Sequence, residues 1–143
     1  QNNLHRIKKN KLTITNEFIK QYKRLKKLVK TNTDKSIDTE LEKFLRFEKG
    51  NESYIYQKSA WKRVRYIGKL LQNNADIINA NKFYARSFEL SYNNETKNES
   101  LFLLLWNSIK HENFKESIVT VQNYNLIDDF TNLYTKTKFW IAY

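Results

Sequence analysis

The chain has two histidines, and one of them lies among carboxylates. His111 is followed by Glu112 and Glu116, and an imidazole beside carboxylates can transfer protons or help to hold a metal ion. A single imidazole with two carboxylates is also a common surface arrangement, and His5 stands far from this group in the sequence. We therefore expect no catalytic residue and no metal site.

The glycines and the missing cysteines exclude several classes of site. Gly50 and Gly68 are the only glycines, and their positions fit neither a phosphate-binding loop, nor a dinucleotide-binding fingerprint, nor a nucleophile elbow. A chain without Cys has neither a disulfide framework nor a thiolate metal site. The sequence predicts a protein that is not an enzyme and that carries no cofactor.

Positive charge is concentrated at the start of the chain. Of the net charge of +11, the first thirty residues contribute most, because they hold ten Lys or Arg and one acid, Glu17. The remaining residues hold sixteen bases and fourteen acids. Such a block attracts anionic partners through its summed field.

A second basic stripe follows in the predicted third helix. Its four bases are spaced i, i+4, i+7 and i+11, so they share one helix face, where like charges repel one another. If this helix lies beside the first, the two stripes form one electropositive face, next to which we expect a partly exposed tyrosine. The predicted basic face consists of Lys20, Lys23, Arg24, Lys27, Lys30, Lys58, Lys62, Arg65, Lys69 and Tyr66.

This face suits an acidic protein surface, and the same residues suit nucleic-acid phosphates. Membrane insertion is the weakest interpretation, because the basic first helix has no Trp and no clean half-apolar face. The longest apolar run, Leu101–Trp106, is also far too short for a membrane span. A solvated surface in a Lys-rich proteome of an AT-rich genome is the plain alternative. An aromatic-rich core with a cavity for an apolar ligand is a further, weaker hypothesis. We favour a small helical interaction protein, for instance an effector or surface module, that binds an acidic protein surface.

Three sequons for N-glycosylation occur, at Asn51, Asn94 and Asn98, all in predicted loops or caps. With eighteen Asn and eighteen Ser or Thr, roughly two sequons are expected by chance. The sequons alone therefore do not establish secretion, although secretion or export is slightly favoured.

The absence of Pro and the scarcity of Gly favour helices, because sheet proteins need positive-φ residues at many hairpins. We predict an all-α, single-domain bundle or orthogonal array of six to seven helices over residues 16–143, preceded by a basic and flexible arm over 1–15. Trp61 is expected in the core, and Gly68 at a close crossing of two helices. The predicted helices cover 17–30, a segment from a cap at Asp34 or Ser36 to 49, a segment from Asn51 or Ser53 to 72, a segment from the cap or kink at Asn73–Asp76 to 92, then 99–109 and a last segment after Asn125. Residues 114–122 are predicted as a further helix capped by Asn113, although their β-branched residues, Ile118, Val119, Thr120 and Val121, prefer a strand.

Overall fold

The structure, a computed structural model, describes residues 2–31 and 36–110, and these residues contain helices and no strand. This confirms the all-α class. The described residues hold five α-helices, fewer than the six to seven predicted, and the predicted helices over 114–122 and after Asn125 lie outside them. The elements are α1 (Asn2–Thr31), α2 (Asp38–Gly50), a 3-10 helix (Glu52–Tyr54), α3 (Gln57–Asn73), α4 (Ile77–Leu90) and α5 (Asn94–Lys110).

Helix α1 begins at Asn2, well before the predicted start at residue 17. Asn16 resembles an N-cap in the sequence but is an exposed residue inside this helix. The earlier turns are held by a tertiary contact, because buried Thr15 accepts a hydrogen bond from the Tyr56 backbone N–H at 3.1 Å and donates one to the Tyr54 carbonyl at 3.3 Å. No Gly or Pro interrupts residues 2–15, so the helix continues through them.

The core lies where the five helices meet. Phe18 of α1 packs against Phe44 of α2, with ring centroids 5.1 Å apart, and Phe44 stacks on Phe83 of α4 at 6.1 Å. Trp61 is buried, as predicted, and its indole N–H donates to the Ser100 hydroxyl of α5 at 3.1 Å. Apolar residues at helical spacing thus join all five helices into one cluster.

An ion pair joins α2 and α4 inside the protein. Arg86 donates two hydrogen bonds to the carboxylate of Glu48, which is fully buried. It also contacts Glu89 at 2.9 Å and Glu52 at 3.5 Å. Burial alone would lower the pKa of Arg86, but its bonds to Glu48 raise it above the usual range. Arg86 is therefore a charged crosslink within the fold.

Helix α5 begins at Asn94, five residues before the predicted start at 99, for which Asn98 was the expected cap. Asn93 caps it instead: its side-chain oxygen accepts from the Thr96 N–H at 2.8 Å, and the Asn93 N–H approaches the Thr96 hydroxyl at 3.4 Å. This reciprocal arrangement satisfies the first turn of the helix. Residues 94–98, predicted as a loop, are consequently helical.

Candidate electropositive interface

Helices α1 and α3 lie side by side and run in the same direction. Thr15 contacts Tyr56, Tyr22 lies against Tyr66, and the Asn74 side chain donates to the Val29 carbonyl at 3.0 Å. The condition for a single electropositive face, that α3 lies beside α1, is therefore met. Helix α1 holds ten bases and one acid, and α3 holds five bases and no acid.

The two tyrosines form the centre of the seam between α1 and α3. The rings of Tyr22 and Tyr66 meet edge to face at 6.4 Å. Lys26 lies 5.5 Å from the Tyr22 centroid and 5.9 Å from that of Tyr66, Lys30 lies 5.9 Å from Tyr66, and Arg63 lies 5.5 Å from Tyr22. Burial raises the pKa of Tyr22, the neighbouring Tyr66 raises it further, and Arg63 acts in the opposite direction. The rings thus hold cations at the surface by cation–π attraction.

Most of the predicted basic face is exposed, and Tyr66 is half-buried, as expected. Arg65 is half-buried: it forms an ion pair with Glu99 of α5 at 2.7 Å, and its guanidinium lies 4.3 Å from the Trp61 ring centroid. The exposed members are Lys20, Lys23, Arg24, Lys27, Lys30, Lys58, Lys62 and Lys69.

Arg24 lies at the opposite edge of α1 from the seam. It lines a groove of about 370 Å³ between α1 and α2, together with Glu40, Lys43 and the apolar side chains of Leu25 and Phe47. Because carboxylate and basic groups are mixed there, this groove does not extend the electropositive face.

Sequence reasoning missed two residues of the seam. Lys26 was left out of the predicted face although it follows Tyr22 by four residues, a spacing that places both on one side of α1. Arg63, which does not belong to the predicted stripe on α3, reaches the Tyr22 ring of α1. No sequence signal indicates the second contact, because it depends on how α1 packs against α3.

A basic pocket opens on the α5 side of the face. We call it the cationic pocket: it has a volume of about 500 Å³ and is lined by Lys58, Ser59, Trp61, Lys62, Arg63, Arg65 and Tyr92. Tyr92 meets Trp61 edge to face at 5.8 Å, and Lys58 lies 5.8 Å from the Tyr92 ring. Both this pocket and the groove between α1 and α2 have charged walls, unlike the apolar chamber of the carrier hypothesis.

Two of the three sequons lie within a helix instead of the expected loops or caps, whereas Asn51 is the C-cap of α2. Asn94 and Asn98 belong to α5, with Asn94 exposed and Asn98 half-buried. The Asn51 amide follows α2 and donates to the Phe47 carbonyl at 2.9 Å. Glycosylation at Asn51 would have to break this bond, so Asn94 is the most accessible acceptor of the three.

The remaining predictions concern the His111 group, membrane insertion and metal binding. His111, Glu112 and Glu116 lie outside the described residues. Within 2–31 and 36–110, no helix combines the length and hydropathy that a membrane span requires, and no three His, Asp or Glu residues converge as metal ligands.

Compared with known proteins, the chain matches no family model, no curated protein and no solved structure.

Proposed function

We propose that this protein is a non-catalytic interaction module that binds an acidic protein surface through the exposed bases of α1 and α3. The observation that carries the proposal is the segregation of charge. Fifteen bases and one acid lie on these two adjacent helices, whereas bases and acids nearly balance on α2, α4 and α5.

Such segregation disfavours the folded chain, because neighbouring like charges repel one another. An anionic partner removes that repulsion on binding, and complementary charge raises the rate of association. A mixed surface would avoid the repulsion without any partner. The cost of this repulsion favours a face that binds a partner over a surface whose charges serve solubility alone.

An acidic protein is favoured over single-stranded nucleic acid because cations lie over the aromatic rings. Lys26 and Lys30 lie over Tyr66, and Arg63 lies over Tyr22. Unpaired bases bind by stacking on available ring faces. Carboxylates need no ring face, since they pair directly with ammonium and guanidinium groups.

The partner class is tested by comparing three probes at low salt: poly-glutamate, a single-stranded oligonucleotide and a DNA duplex. We expect poly-glutamate to bind and its binding to weaken as salt is added. Binding of the nucleic acids alone, with a steep salt dependence, would establish the alternative of a nucleic-acid-binding protein. Failure of all three probes to bind would overturn the proposal.

A further inference from the structure

The cationic pocket contains more positive charge than the neighbouring carboxylates neutralise. Of its four bases, Arg65 is paired with Glu99. Among the described residues, Lys58, Lys62 and Arg63 form no salt bridge. Three positive charges therefore share one concave surface, where each repels the others.

Arg63 has hydrogen-bond donors that the described residues leave unused or only weakly bonded. Its Nε atom is buried and has no hydrogen-bond partner among the described residues, while its Nη1 makes a long bond of 3.4 Å to the Ser59 carbonyl. Buried donors are nearly always paired in native proteins, because an unpaired donor costs free energy. A guanidinium with unused donors is suited to a phosphate or carboxylate.

The walls of the pocket are held in place before any ligand binds. Trp61 is only 7% exposed, and its N–H is fixed by Ser100. Tyr92 packs edge-on against Trp61, with Lys58 near its ring. Because both rings are neighbours of a cation, the pocket presents charge to a ligand more than it presents free ring faces.

From these observations we infer that the cationic pocket binds the phosphate of a phosphorylated serine or threonine in the acidic partner. A phosphate monoester carries nearly two negative charges and three acceptor oxygens. It therefore matches three cations that have no carboxylate partner among the described residues better than one carboxylate does. This inference rests on the proposed function and adds the chemical group that would anchor the partner.

The test uses two fluorescent peptides, Glu-Asp-Ser-Asp-Glu and the same peptide with phosphoserine at its centre. We expect the phosphopeptide to bind at least tenfold more tightly. The substitutions Arg63→Gln and Lys62→Gln should each remove most of that preference, whereas Lys69→Gln, on α3 but outside the pocket, should retain it. Because Lys62 is exposed, its variant tests the pocket even if Arg63→Gln impairs folding.

The outcomes separate this inference from the proposed function. Equal binding of both peptides overturns the phosphate site and leaves the acidic-partner proposal standing. Binding of neither peptide overturns both. Preference for a 5′-phosphorylated oligonucleotide over the phosphopeptide, lost in Lys62→Gln, would overturn the assignment to a protein ligand.

Discussion

The ring of Tyr84 in α4 lies directly against the backbone of Gly68 in α3. A Cβ atom at Gly68 would lie 2.7 Å from both Cδ1 and Cε1 of that ring, and Tyr84 is fully buried. A side chain at position 68 is therefore excluded unless the two helices move apart. Glycine here permits the close packing of α4 against α3, and α3 carries the basic stripe.

Gly68→Ala should destabilise the protein by about 1–3 kcal/mol, because overpacking outweighs the gain of about 1 kcal/mol in helix propensity. Gly50→Ala is the matched control: its Cβ would meet nothing within 4 Å, and its backbone does not have a positive φ. We expect Gly50→Ala to be neutral or to stabilise by up to about 1 kcal/mol. Urea unfolding measures the free energy of unfolding of both variants. Equal changes in that free energy would contradict the expected difference between the two sites.

Ala75 is the site of an expected stabilisation. Its φ is 62°, and it follows α3 in a Schellman motif: the Asp76 N–H donates to the Leu71 carbonyl and the Ala75 N–H to the Gln72 carbonyl, both at 2.9 Å. A left-handed conformation costs an L-residue about 1–2 kcal/mol, and glycine avoids this cost. Ala75→Gly should raise the free energy of unfolding by about 0.5–1 kcal/mol. A lower melting temperature for the variant would refute this interpretation.

The ion pair between Glu48 and Arg86 should be among the most sensitive positions. Glu48→Gln leaves the mostly buried Arg86 without its buried counter-charge, and the expected loss is about 3–5 kcal/mol. Glu89 contacts the same guanidinium but is about half exposed, with 46% of its side chain accessible, so Glu89→Gln should cost less than about 1 kcal/mol. Thermal denaturation of the two variants at neutral pH gives the comparison. Similar losses of stability in the two variants would mean that burial of the carboxylate does not determine the cost of removing its charge.

Because Tyr84 is fully buried, we expect the protein to lose stability at alkaline pH. Burial raises its pKa above the usual value, with Arg65 acting weakly in the opposite direction, and its hydroxyl donates to Gln72 at 2.6 Å. An unfolded tyrosine ionises near pH ~10, so the folded state keeps the proton longer and stability falls as pH rises above about 10. Tyr84 should contribute about 1 kcal/mol of that loss between pH 10 and 11.

This pH effect is measured by urea unfolding at pH 8, 10 and 11 for the wild-type protein and for Tyr84→Phe. The variant loses a hydrogen bond at every pH, so the comparison concerns the slope with pH and not the absolute stability. We expect a shallower alkaline slope for Tyr84→Phe. Identical slopes would show that Tyr84 ionises equally easily in the folded and unfolded states.

The sequence predicted those features that depend on local periodicity. The helical class follows from the absence of Pro and the scarcity of Gly together with the 3.6-residue spacing of apolar residues. The core position of Trp61 and the close crossing at Gly68 follow from that spacing alone. The start of α1 was missed because the anchor of its earlier turns, Thr15, bonds to residues about forty positions away. The start of α5 was placed too late because two asparagines could each cap it, and the partner of Asn93 decides between them.

The candidate face was predictable only in outline. Each basic stripe can be derived from spacing within one helix, but the relation between the stripes depends on packing. Arg63 reaches across to Tyr22, whereas Arg24 turns to the groove beside α2. The contact of Arg63 with Tyr22 and the position of Arg24 in the groove both depend on how α1 is rotated against its neighbours. The pattern of residues within α1 alone does not specify that rotation.

The most direct test of the central claim compares two triple variants that remove the same charge from different helices. One carries Lys23→Gln, Lys26→Gln and Lys30→Gln on α1, and the other carries Lys43→Gln, Arg46→Gln and Lys49→Gln on α2. Binding of poly-glutamate at low salt should weaken about tenfold or more in the first variant and by less than twofold in the second. Equal weakening in both would mean that net charge alone governs binding and would contradict a defined face on α1 and α3.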